Sequence, residues 1–538
     1  MIISKVNIEN TTQTANLETI GEFIQYSYDY NRLTQVTYPQ NPENNVYYEY
    51  GDANTGNQSG RLVKMQDASG VQTFSYGKLG ELIENNHTFV MPAGETYTFM
   101  TQWEYDSWNR TKSITYADGE VVSYDYDEAG NLVEMSGQKG SQTYSYLESV
   151  GYDKFGSRVR MDYGNGTVNN YFYNPINRRL SRLQSFSLTD TMQDITYSYD
   201  LVGNILSDTN HAGSTNSMGG QYNYQHAYDS LYRLVNSVGQ FGTDYSYQLL
   251  MAYSSTGNIT NKTLSANTLI GGLEGTINYN RNYSYYTTKP HAVQTVADQV
   301  SQLDMQISWD ANGNMTMQQT DMGDDEVMER RLCWDEENRL MSVKDNLSMS
   351  SYLYNAGGER VWKFTGAVEQ MTLNGKDYFD VANLTEKTIY TSPYMVINNQ
   401  EYTKHYYAGT QRIASKLGAG FDGALVDIDV NVETINADVE TIALDLVALL
   451  ERSNTCAQIE WGNVTLPEPI LPRVEELRYT SINNLESDMY FYHSDLPIAI
   501  GMGSSSWITD AFGAVNQHLQ YLPPDSYRIG VNLREAIG

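Results

Sequence analysis

The stretch YDYDEAGNLVEM, residues 124–135, predicts a strand, a tight turn and a returning strand. Tyr124 and Tyr126 have the period of two that places both rings on one face of a strand. Asp127 suits the first position of a turn because its carboxylate can accept backbone N–H bonds. Gly130 suits the left-handed residue that closes a type I turn with a bulge. The stretch therefore predicts a single β-hairpin.

Near-copies of this hairpin return along the chain as YSYDLVGNIL, HAYDSLYRLV, SWDANGNMT and CWDEENRLM. Most intervals between copies are 20 to 29 residues, a period typical of repeat architectures. One hairpin is marginally stable in water, whereas many in series build a continuous sheet. The aromatic residues that open the copies are Tyr105, Tyr126, Tyr152, Tyr173, Tyr199, Tyr228, Tyr253, Trp309, Trp334 and Tyr354, with weaker copies at Tyr28 and Tyr76.

The turn positions are the predicted structural sites of the repeat. Where glycine is replaced, the substitute is often asparagine, which tolerates positive φ better than most residues, as at Asn109, Asn177 and Asn338. Tyr232 departs from this pattern. The predicted turn residues are Asp127, Gly130, Asn131, Asp200, Gly203, Asn204, Asp229, Arg233, Gly257, Asn258, Asp310, Gly313, Asn314, Asp335, Asn338, Arg339 and Gly358.

The YDxxGN/RL unit resembles the YD repeat of Rhs proteins, teneurins and the cocoon components of Tc toxins. PHAV (290–293), YNAGGERVWKFTG (354–366), TKHYYAGTQRIASKLG (403–418) and MYFYHSD (489–495) are similar to the bacterial Rhs-associated core. Pro290, His291 and His493 are family-signature residues in these strings. The resemblance implies an all-β fold: serial hairpins form a spiralling, hollow shell, which need not close completely, with a small helical insertion.

The resemblance also implies a function. In relatives the shell encloses a C-terminal toxin for interbacterial competition, so we expect a structural container whose partners are an encapsulated toxin or cargo polypeptide and a secretion-system component. Relatives are exported, secreted or at the cell surface, although this chain shows no signal peptide. Their toxin is released by self-cleavage at aspartates in DPxG-type motifs. This chain has no Asp-Pro dipeptide and no recognisable toxin after Pro523, so we expect no autoproteolysis and no enzyme.

Composition and motifs narrow the alternatives. A net charge of −31 disfavours nucleic acid and anionic lipid as partners, and the lack of an 18-residue apolar run argues against membrane insertion. The sequence has no HExxH or GxSxG motif, so it predicts no catalytic residue, metal site or cofactor. The alternative function is a cell-surface adhesin that binds glycans on its aromatic-rich sheet.

The repeat pattern stops after residue 416, and a helical pattern follows. We expect this helix to pack on the wall; the alternative is a plug or a coiled-coil partner. Cys333 and Cys456 permit one disulfide, which the sequence alone does not decide. The apolar face of the predicted helix comprises Ile428, Val432, Ile435, Val439, Ile442, Leu446 and Leu449. The predicted segments are a lead-in (1–16), the YD-repeat shell (17–416), a helical excursion with a proline-containing linker (417–480), terminal core strands (481–523) and a divergent tail (524–538).

Overall fold

The computed structural model describes residues 2–6, 23–52, 56–90, 96–215, 218–242, 245–267, 278–323, 326–373, 377–398, 401–419, 439–459, 489–494, 505–522 and 525–531. The chain divides into two compact units, each built from segments that are distant in sequence. Unit one comprises Met1–Val121, Met305–Thr403 and Gly418–Thr480, and unit two comprises Val122–Asp304, Lys404–Leu417 and Ser481–Gly538.

Most of the described residues are in β-strands. Two short 3-10 segments, Pro42–Asn44 and Gly56–Gln58, and one α-helix, α1 (Val439–Cys456), accompany them. The strands are β1 (Ile2–Val6), β2 (Phe23–Asp29), β3 (Arg32–Thr37), β4 (Val46–Tyr50), β5 (Leu62–Asp67), β6 (Gly70–Tyr76), β7 (Leu82–Val90), β8 (Thr96–Tyr105), β9 (Thr111–Thr115), β10 (Val121–Tyr126), β11 (Leu132–Lys139), β12 (Gln142–Tyr152), β13 (Arg158–Tyr163), β14 (Val168–Tyr173), β15 (Leu180–Phe186), β16 (Thr191–Tyr199), β17 (Ile205–Asn210), β18 (Tyr222–Tyr228), β19 (Leu234–Phe241), β20 (Tyr245–Tyr253), β21 (Ile259–Asn267), β22 (Tyr279–Tyr285), β23 (Val293–Asp298), β24 (Leu303–Trp309), β25 (Met315–Gly323), β26 (Glu326–Trp334), β27 (Leu340–Lys344), β28 (Ser348–Tyr354), β29 (Arg360–Leu373), β30 (Asp377–Ser392), β31 (Met395–Asn398), β32 (Glu401–Ala408), β33 (Gln411–Ala419), β34 (Met489–Ser494), β35 (Ser505–Asp510), β36 (Val515–Leu522) and β37 (Asp525–Val531).

Strands that follow one another in the chain pair antiparallel, as serial hairpins require. In unit two this ladder runs from β11 to β23, beginning with Met135 opposite Leu147. In unit one it runs from β1 to β9 and from β24 to β31. The prediction of an all-β fold built from serial hairpins is confirmed.

A β-bulge recurs at the end of the first strand of the repeat hairpins. The register shifts between Ser198 and Tyr199, and equivalent shifts occur before Tyr228 and Tyr253. A bulge adds one residue to one strand and increases the local twist. The tyrosine that opens each copy therefore lies where the hairpin leaves regular pairing and enters the turn.

Unit one has its largest hydrophobic core beneath the helix. The helix buries Ile442, Ala443, Leu446 and Leu450, and the last two join a core of strand residues that includes Trp362. The predicted helical insertion is confirmed, and it packs on strands as expected. Three residues of its predicted face, Ile428, Val432 and Ile435, lie outside the described residues.

A disulfide and two ion pairs also fasten the helix to the rest of unit one. Cys456, at its C-terminal end, forms a disulfide with Cys333 of β26, with a Cα–Cα distance of 6.1 Å. One turn earlier, Arg452 forms ion pairs with Glu336 and Glu43. The helix therefore has a covalent and an ionic attachment in addition to its apolar face.

Candidate functional site: the repeat turns

The turn of the quoted stretch is closed by both its backbone and its side chains. Asp127 N–H donates to the carbonyl of Asn131 at 2.9 Å, and Gly130 N–H donates to the carbonyl of Asp127 at 3.0 Å. The carboxylate of Asp127 then accepts from the backbone N–H of Asn131 at 2.8 Å and from its Nδ2 at 3.0 Å. One aspartate therefore holds the fifth turn residue through two separate atoms.

The same pattern is found at the other predicted aspartates. Where the fifth residue is arginine, the guanidinium replaces the amide: Nε of Arg233 donates to Oδ2 of Asp229 at 2.7 Å, and Nε of Arg339 donates to Oδ2 of Asp335 at 2.6 Å. Where the fifth residue is asparagine, its Nδ2 donates to Oδ2 of the aspartate. Those pairs are Asp200 with Asn204 at 2.7 Å and Asp310 with Asn314 at 2.9 Å.

Hydrogen bonds within the turn stabilise the ionised form of the aspartate. The side chain and backbone N–H of Asn131 hold the pKa of Asp127 below its usual range. The backbone N–H and guanidinium of Arg233 do the same for the pKa of Asp229. Asp335 is different, because burial raises its pKa even though Arg339 lies beside it. Asp127 and Asp229 therefore serve these turns as carboxylates.

The fourth turn residue has the left-handed backbone that the sequence pattern requires. Gly130 has φ of 87° and Asn338 has φ of 60°. Tyr232, which departed from the pattern, has φ of 62° and takes the same conformation despite its side chain. The remaining predicted glycines, with their φ values, are Gly203 (115°), Gly257 (91°), Gly313 (89°) and Gly358 (78°).

One predicted left-handed residue is wrong. Asn177 was expected at this position, but the structure places positive φ at Arg178, with φ of 63°. The reason is that this loop is one residue longer: Asn174 N–H donates to the carbonyl of Arg179, and Arg178 N–H donates to the carbonyl of Asn174. The extra residue moves the left-handed position one place along the chain.

Sequence reasoning missed a bond that joins many of the repeats to the preceding one. The hydroxyl of Tyr253 donates to the main-chain carbonyl of Leu234, at the start of the preceding returning strand, at 2.9 Å. We call this bond the tyrosine clip. The other clips are Tyr76 to Leu62 (2.7 Å), Tyr152 to Leu132 (2.8 Å), Tyr173 to Arg158 (3.0 Å), Tyr228 to Ile205 (2.9 Å), Tyr285 to Ile259 (2.7 Å) and Tyr354 to Leu340 (3.0 Å), and Trp334 makes the equivalent bond to Met315 through its indole N–H (2.7 Å).

Arginine at the fifth turn position also contacts the next repeat. The guanidinium of Arg233 lies 4.5 Å from the ring centroid of Tyr253, and that of Arg339 lies 5.3 Å from the ring centroid of Tyr354. These are cation–π distances. Such an arginine therefore holds its own aspartate and also stacks on the following tyrosine.

The two signature residues of PHAV bind a predicted turn residue. Nδ2 of Asn258 donates to the carbonyl of Pro290 at 2.6 Å, and Oδ1 of Asn258 lies 2.7 Å from Nδ1 of His291. Since Oδ1 can only accept, Nδ1 of His291 is the donor. The segment therefore caps the turn that contains Gly257 and Asn258.

His493 lies fully buried in a polar cluster of unit two. Its Nδ1 is 3.2 Å from Oδ1 of Asn169, so Nδ1 carries the proton, and its Nε2 accepts from the hydroxyl of Thr509 at 3.0 Å. Burial lowers the pKa of His493 to about 3. A neutral histidine with both ring nitrogens bonded joins β34 to β14 and β35.

Within the described ranges, no group of three or more His, Cys, Asp or Glu side chains is placed to hold a metal ion. No α-helix of the described chain combines the length and apolar character needed to cross a membrane.

Serial antiparallel hairpins closed by Asp-led turns and joined by tyrosine clips define a β-repeat protein. A model of the RHS repeat matches residues 105–146. No curated protein matches the sequence significantly. The matched residues include the quoted stretch 124–135, so the predicted RHS/YD repeat is confirmed in this part of the chain.

Solved structures share this fold at low sequence identity. A crystal structure of TcdB2-TccC3 aligns with a TM-score of 0.64 and 17% identity, covering 95% of this chain and 24% of that one. A crystal structure of TcdB2-TccC3 without its hypervariable C-terminal region aligns with a TM-score of 0.59 and 16% identity. The alignment covers 95% of this chain and 23% of that one. A structure of the Photorhabdus luminescens Tc holotoxin pore with a mutated TccC3 aligns with a TM-score of 0.55 and 15% identity. The alignment covers 95% of this chain and 24% of that one. The chain thus spans about a quarter of the length of these chains.

Proposed function

We propose that this chain is a wall segment of an RHS-type shell that encloses and sequesters a cargo polypeptide. The observation that carries the proposal is the coupling of one repeat to the next. Each tyrosine clip fastens a turn to the preceding hairpin in addition to the strand ladder, as Tyr228 does with Ile205. Such coupling suits a barrier, because the stability of a repeat wall is approximately the sum of its units and their neighbour contacts.

The likeness to TcdB2-TccC3 over 95% of this chain supports a shell role. The cargo we propose is a toxin, the setting is interbacterial competition, and a secretion-system component delivers the shell. The chain's role in this proposal is structural and not catalytic. We place its site of action outside the cytoplasm, because the disulfide between Cys333 and Cys456 is favoured in an oxidising compartment.

The packing of the repeat rings favours a wall over the alternative glycan-binding surface. Sugars stack on open aromatic faces, whereas Arg233 lies over the ring of Tyr253 and Arg339 over that of Tyr354. The hydroxyls of these tyrosines donate to main-chain carbonyls of their neighbours. These rings therefore hold repeats together.

Protection of a reporter polypeptide tests the proposal. An unstructured reporter fused to the C-terminal end of the full chain is exposed to proteinase K, beside the free reporter and the same fusion unfolded in urea. Enclosure predicts that only the folded fusion keeps its reporter intact, and electron microscopy should show density inside the particle. Digestion of the folded fusion as fast as the free reporter would refute sequestration.

A further inference from the structure

In unit one, a late repeat turn contacts a loop from the first repeats. The turn is residues 335–339, between β26 and β27, and the loop is residues 38–45, between β3 and β4. We call this contact the seam. Its hydrogen bonds run from Asn41 and Asn44 (2.7 Å) to Glu336, and from Tyr26 (3.2 Å) and Tyr38 (3.3 Å) to Glu337. The partners are 292 to 311 residues apart in the sequence, and all four bonds end on two carboxylates.

Arg452 of α1 bridges one carboxylate on each side of the seam. Its guanidinium lies 2.5 Å from Oε1 of Glu336 on the turn and 3.6 Å from Oε1 of Glu43 on the loop. The three side chains are between 13% and 24% exposed, so solvent screens their charges only in part. Two carboxylates that share one guanidinium repel each other once it is withdrawn. Arg452 therefore holds together two groups that would otherwise push the seam apart.

The disulfide fixes the position of Arg452. Cys456 follows Arg452 by one helical turn, which places both side chains on the same face of α1, and Cys333 precedes Glu336 by three residues. The disulfide and the ion pair thus join the same two segments side by side. A covalent link between these segments removes most of the ordering cost that an ion pair between long side chains has to overcome.

A small reductant has access to the disulfide from the helix side. Cys456 is exposed, whereas Cys333 is only 3% exposed. In thiol–disulfide exchange, one thiolate of a dithiol attacks Sγ of Cys456, the S–S bond breaks and Cys333 leaves. The second thiolate of the reductant then displaces Cys456. Two electrons and two protons pass from the reductant to the two cysteines, which end as thiols, and the reductant ends as a disulfide.

We propose that the disulfide and Arg452 form a redox latch on the seam. When a dithiol reduces the disulfide, the last turn of α1 is freed, Arg452 withdraws, and the repulsion between Glu43 and Glu336 opens the seam. The opening is local, because the rest of α1 stays packed on its core through residues such as Leu446.

The latch gives the wall a response to its compartment. A wall with this latch stays closed at the seam in an oxidising compartment and opens there in a reducing one. That consequence for a shell rests on the proposed function, whereas the latch itself is a property of unit one and needs no cargo. A seam that stays closed on reduction would therefore leave the outcome of the reporter-protection experiment unaffected.

Hydrogen–deuterium exchange of the full chain, read by mass spectrometry over residues 38–45, tests the latch. Dithiothreitol should speed exchange there by at least about tenfold, whereas the turn 127–131 of unit two should not change. The Cys333→Ser, Cys456→Ser double variant should exchange like the reduced wild type before any reductant is added, and dithiothreitol should not affect it further.

Two substitutions separate the parts of the latch. Arg452→Met should open the seam while the disulfide is intact. The matched control is Arg330→Met, which removes another ion pair of unit one, with Asp345 at 3.8 Å, and should leave exchange at residues 38–45 unchanged. Glu43→Gln removes one of the two like charges, so reduction of this variant should speed exchange much less than reduction of the wild type.

Four results would overturn the proposal. Exchange over residues 38–45 could be the same before and after reduction, or Arg452→Met could leave the seam closed. Reduction could speed exchange equally in β29, which would mean that unit one unfolds as a whole. Finally, reduced Glu43→Gln could open as far as the reduced wild type, which would show that repulsion does not drive the opening. Circular dichroism checks that each variant is folded.

Discussion

Gly257 isolates the contribution of backbone conformation at a repeat turn. Its φ is 91°, and a Cβ built on it meets nothing within 4 Å, so a side chain there would be strained but not crowded. We predict that Gly257→Val lowers the free energy of unfolding by ~1–2 kcal/mol, because a β-branched residue is disfavoured in the left-handed region. The measurement is the urea midpoint of the folded chain.

Gly213 supplies the matched control for that substitution. It lies in the same unit, has no positive φ, and its Cβ would also meet nothing within 4 Å. Gly213→Val should leave the midpoint nearly unchanged. Equal shifts for the two variants would show that the left-handed requirement does not govern this turn.

Tyr253 tests the tyrosine clip without removing the ring. Tyr253→Phe keeps the contact with Arg233 but removes the hydrogen bond to Leu234. We expect a loss of ~0.5–1.5 kcal/mol in unfolding free energy, the usual net contribution of one hydrogen bond. Tyr232→Phe, at an exposed turn tip, is the control and should cost much less. If both substitutions have equal effects in urea denaturation, the clip adds nothing to stability.

His493 makes stability depend on pH. Its pKa is about 3 in the folded chain because of burial and about 6.5 when unfolded. Between these values the unfolded chain binds more protons, so stability falls as the pH falls from about 6.5 toward 3, by up to ~1.4 kcal/mol per pH unit. Denaturation midpoints from pH 7 to pH 5 measure this slope.

His493→Gln removes the titrating group from the same buried position. The variant should show a shallower loss of stability on acidification than the wild type, whatever its stability at pH 7. His291→Gln, at an exposed histidine, is the matched control substitution. An identical slope for wild type and His493→Gln would contradict the assignment.

At the scale of single elements, the turns could be predicted from the sequence because their requirements are local. Asp127, Gly130 and Asn131 act within five residues, and each residue type has a direct physical reason to be there. The loop at Asn177 shows the limit of this reasoning. One inserted residue moved the left-handed position to Arg178, and in the sequence this insertion shows only as a longer spacing from Tyr173 to Leu180.

The tyrosine clip could not be predicted for a different reason. Tyr253 reaches a main-chain carbonyl 19 residues earlier, at Leu234, and a carbonyl carries no sequence signal. The contact depends on the bulge that shifts the register at Tyr253 and on the stacking of one hairpin beside another. Tyrosine at this position predicted only a strand residue whose hydroxyl needs a partner.

The disulfide between Cys333 and Cys456 links the helix covalently to strand β26. The two cysteines are 123 residues apart, and closing a loop of that length restricts the unfolded chain. We predict that reduction lowers the free energy of unfolding of unit one by ~2–4 kcal/mol. Thermal denaturation with and without dithiothreitol measures the change.

The Cys333→Ser, Cys456→Ser double variant is the control for reduction. It should match the reduced wild type in stability, and dithiothreitol should not affect it further. A wild type that is insensitive to the reductant would mean that the ion pairs of Arg452 and the apolar face with Leu446 hold the helix without the disulfide. The helix was predictable from its apolar period, but its bonding partners depend on how it docks.

At the scale of the whole molecule, the sequence predicted the fold class because the same local rule recurs along the chain. It did not predict that Lys404–Leu417 and Ser481–Gly538 join the compact unit of residues 122–304. This grouping rests on side chains that are distant in sequence, such as His493 bonded to Asn169 and Arg158 bonded to Gln411. Periodicity carries no information about such contacts.

A repeat wall makes a definite prediction about how substitutions combine. If each unit is coupled mainly to its neighbours, clip removals in adjacent repeats should interact and those in distant repeats should add. Tyr228 and Tyr253 are adjacent, since Arg233 of the turn after Tyr228 stacks on Tyr253. Tyr152 and Tyr285 end β12 and β22 of the same unit, ten strands apart in the ladder.

We therefore expect Tyr152→Phe and Tyr285→Phe to combine additively within ~0.3–0.5 kcal/mol, whereas Tyr228→Phe and Tyr253→Phe should show an interaction energy above ~0.5 kcal/mol. Urea denaturation of the four single and two double variants measures both cycles. Adjacent clips interact because loss of the first loosens the hairpin, β18 and β19, that carries the acceptor of the second. If the distant pair were coupled as strongly as the adjacent pair, stability would be shared across the unit, and a description by nearest neighbours would be wrong.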